Sequence, residues 1–224
     1  MEHEILYRPS FSLLKVTLSP GETVSAEAGA MVSMSSAIEL ETSAKGGLFG
    51  ALKRSVLGGE SFFVNAFKAT RGPGEVTFAP TLPGDITGLE LRGQTLYAQS
   101  GAYIASSPDV QVDTKWGGAK TFFSREGFFL LKISGAGHVF LSSYGAIHEV
   151  QLKAGEKYIV DTGHMVAFDE GVDYAVRRVG GLKSTLFGGE GLVCELTGPG
   201  RIMIQTRNVD SFLSWLIPML PKSE

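Results

Sequence analysis

The chain has 224 residues, of which 43% are hydrophobic and 19% charged, a composition typical of a globular protein with a buried core. Its net charge of −3 provides no global field for nucleic acid or an anionic membrane, so nucleic-acid binding is disfavoured. The single cysteine, Cys194, excludes an intramolecular disulfide and a multi-cysteine zinc site. The acidic start does not resemble a secretory signal, and no apolar run reaches the roughly 20 residues of a membrane-spanning helix. We therefore expect a cytoplasmic protein and no cofactor.

Most of the chain alternates between apolar and polar residues with period two, which is the pattern of half-buried β-strands. The same stretches are rich in β-branched and aromatic residues, which favour strands. The clearest examples are residues 11–18, 38–42, 110–116 and 172–179. Glycine and proline pairs separate these stretches and favour turns. The pattern therefore predicts an all-β fold.

An internal threefold repeat organises the predicted strands. Each copy contains two glycines eight residues apart, at Gly21 and Gly29, Gly93 and Gly101, and Gly155 and Gly163. The copies span approximately residues 18–80, 90–146 and 152–208 of a single domain, 1–224. Because one copy cannot bury its apolar face alone, the copies must pack on one another. We predict a double-stranded β-helix or β-prism built from three hairpin repeats.

The C-terminal segment predicts a short amphipathic helix over residues 209–217. One helical face carries Val209, Phe212, Leu213, Leu216 and Ile217. Pro218 then ends the helix. This face, together with Trp215, is too apolar to stay in water and too short to span a membrane. Residues 209–220 therefore dock on their own chain, on a neighbouring subunit of a homo-oligomer, or peripherally on a lipid surface. In the second case Phe212, Leu213, Trp215, Leu216 and Ile217 form the subunit interface.

Several motifs along the chain resemble one known family. They are GAIH (145–148), VDTGHMVAF (160–168), GGLKS (180–184), GEGL (189–192), GPG (198–200), QTR (205–207) and WLIP (215–218). In this order they resemble the "altered inheritance of mitochondria" family of conserved β proteins. The resemblance implies a double-stranded β-helix or β-prism fold akin to that of the tryptophan RNA-binding attenuation protein, and no established enzymatic activity. In the fungal members it also implies a link to mitochondrial inner-membrane organisation.

The sequence Asp161-Thr162-Gly163 imitates the signature of aspartic proteases, in which two carboxylates share a proton. The chain has one copy of it, so a symmetric dimer would have to supply the second carboxylate. Glu27 and Gln99 occupy the equivalent places in the other two repeats. The pattern therefore favours a repeated turn over a protease site.

Three histidines, His138, His148 and His164, lie on predicted strands or at their ends, and imidazole is a common metal ligand. Their spacing does not match a cupin-type site, which needs two histidines on one strand face. His164 is the best single candidate because it is close to Asp161. A metal- or small-molecule-dependent enzyme using these two residues is one alternative, and a structural histidine is the favoured interpretation.

The acidic residues Glu60, Glu126 and Glu190 recur at equivalent places, and repeat symmetry could bring them to one axis. Such a ring would raise at least one carboxyl pKa or bind a cation, whereas the favoured interpretation is three separate, exposed carboxylates. The sequence thus contains no complete catalytic constellation. With the repeat and the amphipathic tail, it indicates a non-enzymatic oligomeric scaffold or interaction protein.

Overall fold

A computed structural model of the protein describes residues 1–41, 55–57, 60–62, 64–113, 130–178 and 192–221, with 55–57, 60–62 and 178 described by their backbone alone. Within these ranges the chain is mostly β, with one short α-helix near the C-terminus. The predicted all-β class with a C-terminal helix is confirmed. In the same ranges no helix has the length and apolar character needed to cross a membrane.

The strands fall into three groups along the chain. The first contains β1 Glu2–Leu6, β2 Leu13–Leu18, β3 Thr23–Glu27, β4 Met31–Met34, β5 Ile38–Glu41, β6 Ser55–Leu57, β7 Glu60–Phe62, β8 Val64–Ala69 and β9 Gly74–Phe78. The second contains β10 Ile86–Arg92, β11 Leu96–Gln99, β12 Tyr103–Ser106, β13 Val110–Asp113 and β14 Leu130–Ser142. The third contains β15 Ile147–Leu152, β16 Lys157–Asp161, β17 Met165–Asp169, β18 Asp173–Arg178, β19 Leu192–Thr197 and β20 Gly200–Gln205.

The strands within each group pair antiparallel. In the first group β2 and β4 pair with β9, and β3 and β5 pair with β8. In the second group β10, β11, β12 and β13 all pair with the long strand β14. In the third group β15 and β17 pair with β20, and β16 and β18 pair with β19. β1 adds to the outside of β2, and β6 pairs with β7.

Two strand pairings join the groups. β12 of the second group pairs with β3 of the first, with Ala105 opposite Ala26. β17 of the third group pairs with β11 of the second, with Ala167 opposite Ala98. Through these junctions one sheet runs across all three groups. The threefold repeat itself stays a prediction.

Alternate residues of the strands face inward and form three buried clusters, each centred on one group and completed by residues of a neighbouring group. In β2, for example, Leu14, Val16 and Leu18 are buried while Thr17 is exposed. The first cluster includes Phe67 and Phe78, whose rings meet edge to face with their centres 5.2 Å apart. The second includes Tyr103 and Leu131, and the third includes Phe168 and Cys194.

The helix α1, Val209–Leu216, follows β20 and continues into a 3-10 turn, Ile217–Met219. The Asn208 side chain caps its start and accepts hydrogen bonds from the backbone N–H groups of Asp210 and Ser211, at 2.8 and 3.4 Å. Asparagine is a preferred residue at this position because its side chain satisfies free donors of the first turn. The cap fixes where α1 leaves the β body.

Candidate functional site

Asp161 and His164 lie on either side of Thr162 and Gly163, in the tight turn between β16 and β17. The Asp161 Oδ1 accepts hydrogen bonds from the Gly163 backbone N–H at 2.9 Å and from Asn208 Nδ2 at 3.3 Å. The His164 Nδ1 donates to the backbone carbonyl oxygen of Gln205 at 2.7 Å. His164 therefore holds the turn against the end of β20, and Asp161 holds it against the residue that caps α1.

Gln205 is a residue of this turn contact that the sequence interpretation missed. It is buried, its Nε2 donates to the carbonyl oxygen of Gly163 at 2.8 Å, and its Oε1 accepts from the Tyr144 N–H at 2.9 Å. No local sequence signal identifies a glutamine as a clamp between two distant turns. Its one pointer in the sequence is its place in the QTR motif (205–207), at the end of β20.

Metal ligation finds no support in the described part of the chain. No group of three or more histidine, cysteine, aspartate or glutamate side chains there could hold a metal ion. His138 packs against His3, with ring centres 4.7 Å apart, and His148 lies exposed on β15. Glu126 and Glu190 lie outside the described residues, and Glu60 is described only as backbone of β7. The carboxylate ring therefore stays a prediction.

A cavity of about 420 Å³ opens where the turns of the first and second groups come together, and we call it the end cavity. Its polar lining includes Glu27 and Gln99, which begin those two turns, and Gln205. Tyr144 and Val209 complete the wall on the side of α1. The repeat pattern in the sequence places Glu27, Gln99 and Asp161 at one repeated position. It does not indicate that Glu27 and Gln99 line a cavity.

A second hollow of about 390 Å³ lies beside α1, bounded by Tyr144, His164, Arg207, Phe212 and Trp215. Phe212 meets the Tyr144 ring edge to face at 6.1 Å between centres and lies 6.0 Å from the Trp215 ring. None of the eight residues of α1 is buried.

The predicted interface residues are unequally covered. Phe212 and Leu216 are half-buried, whereas Leu213, Trp215 and Ile217 are 40%, 57% and 59% exposed. Met219 and Leu220, just beyond them, are also exposed. The tail therefore rests on its own chain by part of one face and leaves most of its apolar surface uncovered.

β4 and β16 are among the strands that leave one edge uncovered in the described part of the chain. In the described part of the chain β4 pairs only with β9, and β16 pairs only with β19. All residues of β4 are exposed, whereas all residues of β12, which follows the corresponding turn of the second group, are buried. Val32 in β4 is 58% exposed, while Ile104 in β12 is 1% exposed.

The same contrast holds for the strands that precede the turns. Lys157, Tyr158 and Ile159 of β16 are exposed. The middle residues of β3, by comparison, are buried. β3 and β11 are each covered by a strand of the next group, and β16 has no such cover among the described residues.

Comparison with known proteins gives consistent matches over nearly the whole chain. A family described as "Mitochondrial biogenesis AIM24" matches residues 3–207. An uncharacterized protein of Streptococcus pyogenes serotype M6 is 31% identical over 221 residues, which cover 95% of this chain and 88% of the relative. An X-ray crystal structure of a Streptococcus pyogenes protein is similar with a TM-score of 0.81 at 29% identity, covering 98% of this chain and 99% of the other.

Proposed function

The chain belongs to the mitochondrial biogenesis AIM24 family, and from that premise we propose that it is a non-enzymatic scaffold whose copies assemble head to tail through β4 and β16. The observation that carries the proposal is the exposure of these two strands, whose counterparts elsewhere in the chain are paired and buried. The contacts of Asp161 and His164 hold a turn, and they give the alternative of an enzyme no support.

The proposal treats the three groups as copies of one unit. The same pattern of strand pairing occurs in all three groups, and each strand that follows a turn has a register shift after its first residue: Met31, Tyr103 and Met165. A bulge of this kind is a local feature of one strand, and copies of one ancestral unit would keep it at the same place.

A single rule describes how neighbouring units join. The strand after the turn in one unit pairs with the strand before the turn in the preceding unit, as β12 does with β3 and β17 with β11. Under this rule β4 needs a partner strand from a preceding unit, and β16 needs one from a following unit. The described part of the chain has neither unit. Further copies of the chain supply both, since β4 of one copy can pair with β16 of the preceding copy.

The rule also fixes the register of the proposed contact. In both internal junctions the third residue of one strand, Ala105 or Ala167, lies opposite the second-last residue of the other, Ala26 or Ala98. The same register places Ser33 opposite Val160. Because the strands are antiparallel, Met34 then lies opposite Ile159.

The chemistry of the two edges suits this pairing. Unpaired backbone groups at a sheet edge form a template for another strand, and edges that are to stay monomeric are usually protected by proline or charge. β4 contains neither. Val32 and Met34 on one edge, and Tyr158 and Ile159 on the other, present apolar side chains that the contact would remove from water. A head-to-tail contact of this type leads to a closed ring or to a filament.

The test is a disulfide across the predicted contact. Met34→Cys and Ile159→Cys in one chain should cross-link neighbouring copies on oxidation, because directly opposed strand residues have the separation a disulfide needs. Each single substitution and the out-of-register pair Val32→Cys with Ile159→Cys are the controls, and neither should cross-link efficiently.

A cross-link within a single chain would show that the two edges meet each other, and it would overturn head-to-tail assembly. A strict monomer by light scattering at micromolar concentration would overturn the scaffold as well.

A second candidate is peripheral membrane contact through residues 209–220, which the exposure of Trp215, Ile217 and Met219 favours. A short helix with such residues can lie in the interface of a bilayer. Flotation with liposomes tests it. Binding that is lost in Trp215→Ala would support the candidate, and no flotation of the unaltered protein would contradict it.

A further inference from the structure

The end cavity contains a buried side-chain amide, that of Gln99, which has no hydrogen-bond partner in the part of the chain that the structure describes. Gln99 is 4% exposed and lines this cavity, and it begins a tight turn without capping it through its side chain. Among the described residues no hydrogen bond is made by the Gln99 side-chain amide. In contrast, the buried amide of Gln205 uses both its oxygen and its nitrogen.

An unpaired buried amide is costly, at about 1 to 3 kcal/mol, and is rare in folded proteins. Such a group is tolerated where a bound molecule supplies the missing hydrogen bond. Gln99 lies in the wall of an open cavity, so a ligand can reach its amide without disturbing the strands. A bound ligand therefore explains the amide.

The walls of the cavity define the kind of ligand. Glu27 is the one charged side chain among the described lining residues, and its carboxylate can accept a hydrogen bond from a cationic ligand. Small or apolar residues such as Ala30, Pro80 and Leu82 form much of the remainder. Its volume of about 420 Å³ falls within the usual range of small-molecule sites.

We propose that the end cavity binds a small organic cation, namely a primary amine with an apolar body. The ammonium group donates hydrogen bonds to the Glu27 carboxylate and to the Gln99 amide oxygen, and the apolar body contacts Leu82 and Tyr144. A carboxylate accepts several hydrogen bonds, so Glu27 can bind the amine while keeping its contacts within the protein. The site lies within one chain and does not depend on assembly.

The experiment compares three probes of nearly equal size: benzylamine, benzyl alcohol and benzoate. Binding is measured by titration with NMR detection at pH 7. We expect saturable binding of benzylamine at least ten-fold tighter than that of benzyl alcohol, and no binding of benzoate. Because a ligand that binds only the folded state stabilises it, benzylamine should also raise the melting temperature.

Two variants locate the site and one serves as the control. Glu27→Gln should weaken benzylamine binding at least ten-fold, and Gln99→Leu should weaken it several-fold. Glu170→Gln alters an exposed carboxylate that does not line the cavity and should leave binding unchanged.

Equal binding of amine and alcohol, or no binding of any of the probes, would overturn the proposal. A higher melting temperature of Gln99→Leu together with no amine binding by the unaltered protein would show that the cavity holds only water.

Discussion

Asp85 shows how one side chain ties two strand groups together. It is 3% exposed at the start of β10, and its carboxylate accepts hydrogen bonds from Arg8 Nε and Nη2 at 2.8 and 2.9 Å. The Ser12 hydroxyl donates a further bond at 3.1 Å. Burial alone would raise the pKa of Asp85, but the hydrogen bonds from Arg8 and Ser12 outweigh it and lower the pKa.

We expect Asp85→Asn to lower the free energy of unfolding by about 2 to 3 kcal/mol, because hydrogen bonds to a charged group are lost. Urea denaturation at pH 7 measures the change. Since the folded-state pKa is below its ordinary value near 4, the stabilisation is present above that value and is lost as the pH falls through the folded pKa. The Asp85→Asn variant should not lose this part of its unfolding free energy at acidic pH. Equal stability of the two proteins at pH 7 would contradict the prediction.

His3 has a pKa lowered by burial, and additionally by the nearby His138 and the N-terminal amine. Its ring centre lies 4.7 Å from that of His138 and 4.8 Å from that of Phe140. A base with a lowered folded pKa stabilises the fold above its ordinary value near 6.5, and this contribution falls as the pH drops below that value. We therefore expect the free energy of unfolding to fall between pH 7 and pH 5, and less so in His3→Gln. NMR titration of the imidazole should give a pKa below 6.5, and a value above it would refute the argument.

The turn glycines illustrate what local sequence can predict at the scale of an element. Gly21, Gly93 and Gly155, which the sequence repeat picked out, all have positive φ, at 85°, 101° and 74°. Gly93→Ala should cost more than about 1 kcal/mol, because a side chain disfavours this backbone conformation even where space is open. Thermal unfolding measures the loss. Gly93→Asn is the matched control and should cost less, since asparagine tolerates positive φ better. Equal losses in the two variants would argue against a backbone cause.

Element bounds followed from local signals. The strand predicted over residues 11–18 is β2, Leu13–Leu18, and the helix predicted over 209–217 is α1 followed by a 3-10 turn. Coverage by other strands could not be predicted in this way. β4 and β12 are both short, apolar strands after a turn, yet β4 is exposed and β12 is buried. The difference comes from the distant strand β3, which pairs with β12 and not with β4. The buried amide of Gln99, which makes no side-chain hydrogen bond within the described ranges, was missed for the same reason.

The C-terminal helix gives a further prediction at the scale of an element. Its half-buried residues Val209, Phe212 and Leu216 contribute to stability by burying apolar area. Deleting residues 209–224 should therefore cost about 2 to 4 kcal/mol of fold or assembly stability, taking roughly half the value of a fully buried side chain for each. Melting temperature and light scattering measure the effect. If both remain unchanged, α1 contributes neither to the fold nor to subunit contact.

At the scale of the whole molecule, the assembly proposal makes a prediction that depends on the direction of the contact. Met34→Lys places a charge on the β4 edge, and Ile159→Lys places one on the β16 edge. Both side chains are already exposed in the single chain, at 42% and 55%. We therefore expect each variant to keep its unfolding free energy within about 0.5 kcal/mol. Each variant alone should be monomeric, because every head-to-tail contact needs an intact β4 edge on one chain and an intact β16 edge on the other.

Mixing the two variants restores one contact and no more. The intact β4 of the Ile159→Lys chain can pair with the intact β16 of the Met34→Lys chain, while the two remaining edges are blocked. Light scattering of the equimolar mixture should therefore show a complex of two chains that grows no further. A two-fold symmetric contact between identical edges behaves differently, because one variant would then dimerise alone and the mixture would form no additional complex. Dimerisation of a single variant would thus exclude head-to-tail assembly.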